Sequence, residues 1–117
     1  MTRETWSVWR AFVRFDEDDS KGKSRPVVVL HEMRDSITSV KVTSNLNREG
    51  YRLIRWREAG LWKPSVVQAD RGYILLSDSE MGGRLGHLDG IDITGLYDYI
   101  SAHKHCMLML DTPFTGS

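Results

Sequence analysis

Residues 26–30, Pro26-Val27-Val28-Val29-Leu30, leave this chain few ways to fold. Three consecutive β-branched residues and a leucine make a strand with no polar face, so it is covered on both sides or lies at the centre of a small barrel. Proline cannot donate to a ladder, which places the start of the strand at Pro26 and not earlier. The stretch before it, residues 16–23, is acidic and then basic and reads as a turn or loop. A charged loop tip, Lys21-Gly22-Lys23-Ser24-Arg25, discharging into a buried strand holds one cation, Arg25, at the rim of a core.

The other apolar runs are equally short. Residues 5–15 are aromatic and β-branched, a strand whose alternation slips near Arg10, as at a bulge. With the strand from Pro26 it forms an antiparallel pair joined by a loop of about eight to nine residues. Within residues 36–44 the order Ser39-Val40-Lys41-Val42-Thr43-Ser44 alternates strictly. Val40 and Val42 therefore point into the core, while Lys41 and Thr43 point to the open face. Residues 51–56 read as a fourth strand, and 65–69 and 72–76 as two shorter ones. Short strands about 10 residues apart, separated by turn chemistry, indicate an all-β barrel or sandwich core. After residues 82–88 the period changes: Asp92 caps a helix over about 93–105, with Ile93, Leu96, Tyr97 and Ile100 at i, i+3, i+4 and i+7. Residues 106–110 are a last strand or the helix end, and 113–117 a frayed terminus.

At 117 residues the chain is read as one domain, residues 1–117. Its 16 basic and 16 acidic side chains cancel, so a site for an anionic partner has to be a local patch. The single cysteine, Cys106, has no intrachain partner, and the first residues lack the apolar core of a secretory signal, which points to a reducing cytoplasm. No apolar run approaches the roughly 18 residues of a membrane span. His31, His87, His103 and His105 show no metal-ligand spacing, so neither a metal nor another cofactor is expected.

Taken in order, these pieces resemble the MazF/PemK family of toxin–antitoxin ribonucleases, within the CcdB/MazF superfamily. The matching residues are Gly22 with Arg25-Pro26-Val27-Val28-Val29, then Val42-Thr43-Ser44, then Gly60-Leu61 with Lys63-Pro64-Ser65-Val66-Val67-Gln68-Ala69-Asp70. The resemblance covers roughly residues 6 to 105. It departs from the family's pattern at the start, where Trp6-Ser7-Val8-Trp9-Arg10 stands in place of a Gly-Asp pair. It implies an antiparallel SH3-like small barrel with a C-terminal helix, mainly β with α. It further implies a homodimer that cuts single-stranded RNA, such as mRNA, at a short sequence without a metal. A cognate antitoxin would silence it through a tail lying in the RNA groove. By motif position the family's catalytic arginine and threonine would be Arg25 and Thr43.

Such a reaction deprotonates a 2′-OH, stabilises charge on a phosphorane-like transition state and protonates the departing 5′-oxygen. A guanidinium fork suits the middle task, since it holds two oxygens at once and stays charged. Read without the resemblance, Arg25 is equally a solvated residue at a strand start and Thr43 a threonine selected for its β-propensity. Lys21, Lys23, Lys41 and Arg55, with Arg48, Arg52 and Arg57, are candidate phosphate contacts. Ser44 is a second hydroxyl, which alternation turns toward the Val40 and Val42 face. Tyr51, Trp56 and Trp62 are available for stacking, at most one of them outside the core. His31 and His87 are rival proton carriers. A second reading of the same fold is a binding protein without catalysis, either an inactive relative or a gyrase poison. The latter relies on a C-terminal Trp-Gly-Ile, whereas this sequence ends Phe114-Thr115-Gly116-Ser117.

Overall fold

The computed structural model describes residues 3–15 and 18–102. Seven strands precede one helix: β1 (Ser7–Phe15), β2 (Asp18–Glu32), β3 (Ile37–Thr43), β4 (Tyr51–Arg52), β5 (Val66–Val67), β6 (Ile74–Leu76), β7 (Met81–His87) and α1 (Gly90–Ala102). Every pairing is antiparallel, in the order β4-β5-β3-β2-β1-β7, with β6 beside β3. The mainly β architecture with one C-terminal helix is as expected; the closed barrel is not. Among the described residues no pairing joins β4 to β7, so the sheet stays open. The strands on the β4 side are two residues each, too short a ladder to carry the sheet round to its other edge.

The apolar run of β2 has the double cover its sequence demanded. Val28 and Leu30 pack with Val8, Val40, Val42, Leu88, Leu96 and Ile100 on one face. Val27 and Val29 pack with Ala11, Val13, Ile37 and Leu76 on the other. Burying each such valine contributes roughly 1.5–3 kcal/mol, which makes this run the spine of the sheet.

The hairpin reaches further than expected. β1 and β2 stay paired from Val8↔Val28 out to Phe15↔Asp18, so residues 18–25 are strand and Pro26 lies inside it; residues 16–17 are outside the described ones. Pro26 faces Arg10 on β1 but has no partner on β3, whose ladder with β2 ends at Val27↔Lys41. Proline is tolerated where a strand has become an edge. The slip near Arg10 is a register shift of β1 against β7, not against β2.

Residues 51–56 also differ from expectation. β4 ends at Arg52; Leu53 N–H still donates to the Ser65 carbonyl at 3.0 Å, and the chain then turns to the Asp92 carboxylate, which accepts from Ile54 N–H at 2.9 Å, Arg55 N–H at 2.7 Å and the Tyr51 hydroxyl at 2.9 Å. Asp92 is 0% exposed and sits inside α1, so it is an anchor and not the cap. Asp89 takes that role, its Oδ2 accepting from Ile91 N–H at 3.1 Å. The helix buries Asp92, Leu96 and Ile100, while Tyr97 is 47% exposed and off the core face. Residues 103–105, the run 106–110 and the terminus 113–117 lie outside the described residues. Residues 82–88, assigned to no element from sequence, are mostly strand β7. Its backbone packs on the turn before Leu61: a Cβ on Gly60, whose φ is 85°, would strike the Leu85 carbonyl oxygen.

Candidate functional site

After a one-residue register shift between Val29 and His31, β2 and β3 pair as Val29↔Ser39, Val28↔Val40 and Val27↔Lys41. Continued two residues further, this pairing would set Pro26 against Val42 and Arg25 against Thr43. No ladder forms there. Val42 and Thr43 keep partners only on their far side, in β5, while β2 runs on with β1, Arg25 opposite Ala11 and Lys23 opposite Val13. The sheet forks, and the opening is a cleft of about 720 Å³.

Among the described residues the walls of this cleft carry five cations and no carboxylate: Arg14, Lys23, Arg25, Lys41 and Arg48. Arg14 is paired, its Nε donating to Glu80 Oε2 at 3.2 Å. The other four have no carboxylate within 4.0 Å among the described residues. A chain of zero net charge thus gathers unneutralised positive charge in one concavity, which attracts an anion through low-dielectric walls. Thr43 stands at the cleft with only 9% exposure. Its Oγ1 accepts a hydrogen bond from Asn45 N–H at 3.1 Å, so one lone pair is used and the hydroxyl proton is left to donate.

Lys23, Arg25, Lys41, Thr43 and Ser44 therefore line one cleft, as does Arg48. Ser44, expected on the Val40 and Val42 face, is exposed and past the end of β3, where alternation no longer directs it. The side chain of Lys21 lies outside the described ones. Arg55 lies elsewhere, in a shallow groove of residues 54–58, its Nε 3.8 Å from Asp89 Oδ2. The strand that would have aimed it ends at Arg52, and its own N–H is held by Asp92.

Three wall residues escaped sequence reasoning. Arg14 is carried by the extension of the hairpin, and Asn45 by its bond to Thr43. Gln68 is 7% exposed, and its N–H donates to the Lys41 carbonyl at 2.8 Å, tying β3 to the chain after β5. The polar interruption of Val66-Val67-Gln68-Ala69 was its only sequence signal.

Of the aromatic candidates, Tyr51 and Trp56 pack against the core, whereas Trp62 is 66% exposed. Burial and then the hydrogen bond to Asp92 push the Tyr51 phenol upward from its ordinary pKa. His31 pairs with Thr38 across β2 and β3, and His87 Nδ1 is 2.8 Å from the Leu88 carbonyl; neither lines the cleft. Among the described residues no three His, Cys, Asp or Glu side chains form a set that could hold a metal ion, and no helix is long and apolar enough to cross a membrane.

Solved structures share this fold, three of them as follows. Mycobacterium tuberculosis toxin MazF-mt6 is 20% identical with a TM-score of 0.64, over 83% of this chain and 96% of that one. An Mtb toxin is 21% identical with a TM-score of 0.58, over 68% and 91%. An endoribonuclease in complex with its cognate antitoxin, from mycobacterial species, is 14% identical with a TM-score of 0.62, over 86% and 91%. No family model matches the sequence, and no curated protein matches it. The fold is MazF-like.

Proposed function

We propose, from the MazF-like fold as premise, that this chain is the toxin of a type II toxin–antitoxin module, a metal-independent, sequence-specific endoribonuclease acting on single-stranded RNA. The observation that carries this reading is the fork itself: Arg25 and Thr43 line one opening whose described walls carry five cations and no carboxylate. RNA is a polyanion that such a cleft suits, and with these five cations gathered there the remainder of the chain is net acidic.

In this reading the ribose 2′-OH attacks the adjacent phosphorus, a 2′,3′-cyclic phosphate forms, and the P–O bond to the 5′-oxygen breaks. The Arg25 guanidinium holds two non-bridging oxygens as charge builds on them, a preorganised contact commonly worth about 2.7–4 kcal/mol. Thr43 donates its remaining hydroxyl proton to the same phosphate. Lys23, Lys41 and Arg48 carry flanking phosphates, with Ser44 a further donor at the cleft mouth. Arg55, set apart from the cleft, has no part in the contact.

A neighbouring fold is an endoribonuclease bound to its cognate antitoxin, and an acidic antitoxin tail would compete with phosphates for the same unpaired cations here. The working unit is taken to be a cytoplasmic homodimer, which sedimentation at micromolar concentration would test. The chemistry is tested by incubating the purified chain with EDTA and a long unstructured RNA. Discrete fragments with 2′,3′-cyclic phosphate ends are expected. Cleavage at a site whose 2′-OH has been replaced by hydrogen would exclude the internal attack.

A further inference from the structure

A second, smaller hollow opens beside the cleft, and the proposed nuclease reading does not use it. Its volume is about 160 Å³, below the roughly 300–1,000 Å³ of sites for whole drug-sized ligands, which suits one planar ring system. Pro26, Val42, Thr43 and Ser44 line both hollows, so an occupant of the smaller one adjoins a phosphate held in the larger. On its far side stand Arg10, Leu61, Trp62 and Lys63.

Trp62 is an indole left 66% exposed on a chain whose other described tryptophans are half-buried. It is nevertheless steadied. The Arg10 guanidinium lies 5.3 Å from the centre of the ring, a cation–π contact that holds the plane at the hollow. Ser65, 4% exposed, donates to the Lys63 carbonyl at 2.9 Å and fixes the turn that carries the ring. An exposed aromatic plane bordered by cations, next to a positively charged cleft, is the combination with which proteins hold unpaired bases.

We propose that this hollow seats one nucleobase of a single-stranded RNA, stacked on Trp62, next to the phosphate at Thr43. The inference rests on the nuclease reading and adds a subsite to it. Lys63 borders the seat and meets the adjoining phosphate. Stacking on an aromatic face tolerates any base, so the seat contributes affinity and position, while leaving base choice to the groups around it.

The test uses the full chain and the shortest RNA that it cuts, with the sugar at the cut site made 2′-deoxy, and measures binding by fluorescence anisotropy. Replacing each nucleotide in turn by an abasic one is expected to reveal one position next to the cut phosphate where affinity falls about 5- to 140-fold. Trp62→Ala is expected to lose the same factor and to be indifferent to that abasic site, whereas Trp62→Phe keeps most of the difference. Wild-type affinity in both Trp62 variants, with cutting still dependent on Arg25, would overturn the seat and leave the nuclease standing. An RNA pool that the wild-type chain neither binds nor cuts would overturn both.

Discussion

Asp92→Ala is expected to be among the most damaging single substitutions in this chain. The carboxylate is 0% exposed and accepts three hydrogen bonds, from Tyr51 Oη, Ile54 N–H and Arg55 N–H. Bonds to a charged acceptor contribute roughly 1.5–3 kcal/mol each, so three would give about 4.5–9 kcal/mol if they added. They share one acceptor group and do not add, and desolvation of the carboxylate offsets part of the gain. A net loss of about 3–5 kcal/mol remains, because two backbone donors and a phenol are left without an acceptor. Against a typical total of about 5–15 kcal/mol, this brings the chain close to unfolding. Asp92→Asn keeps the shape and one acceptor and is expected to cost about half as much. Urea unfolding followed by tryptophan fluorescence measures both through the midpoint at constant slope. A loss below about 1 kcal/mol for Asp92→Ala would refute the anchoring role derived from these bonds.

Three further outcomes are expected. The Glu80 carboxyl is held below its ordinary 4.5, mainly by the Ser77 backbone N–H against an opposing effect of burial, with the Ser77 hydroxyl and Arg14 adding to it. Its contribution is present above pH 4.5 and fades as pH falls through the lower folded value, so Glu80→Gln flattens the acid limb of stability, read from urea midpoints between about pH 7 and about pH 3. An unchanged limb would discard this linkage. For RNA binding, Arg48→Ala is expected to reduce the slope of log affinity against log salt by about 0.7, one phosphate's worth on a single strand, and an unaltered slope removes Arg48 from the footprint. Thr43→Val is expected to slow cleavage about 100-fold or more with little change in binding, while Thr43→Ser retains much of the rate; equal losses in both would deny the hydroxyl a role.

Local chemistry made the spine of the fold legible. Val27 to Leu30 have no polar face because β2 is covered on both sides there, and Val40 and Val42 alternate with Lys41 and Thr43 because β3 has a core side and a cleft side. What stayed hidden depended on partners far along the chain. Residues 18–25 looked like loop because they are polar, yet a two-stranded ribbon that leaves the sheet has no need of an apolar face. Tyr51 to Trp56 have the composition of a strand, but beyond Leu53 a carboxylate some forty residues away in α1 takes the Ile54 and Arg55 donors, and Arg55 is carried out of reach of the cleft. In β7, Gly82, Gly83 and Gly86 lower the strand signal, while Gly86 allows the close backbone approach to Ala59 and Gly60. The cleft residues Lys23, Arg25, Lys41 and Thr43 were legible because each sits within a residue or two of the apolar runs that fork. Arg14 was not, because its place follows from the length of a ribbon.

In the proposed reaction one guanidinium, at the fork of β2 and β3, stabilises the charge that develops on RNA as it breaks. The most direct measurement is the single-turnover cleavage rate of Arg25→Ala on a mapped RNA, with circular dichroism and urea midpoint recorded on the same preparation. A loss of at least 100-fold with the fold and midpoint retained is expected, since Arg25 has no ion pair among the described residues to lose. Cleavage at the wild-type rate by a folded Arg25→Ala chain would contradict this role.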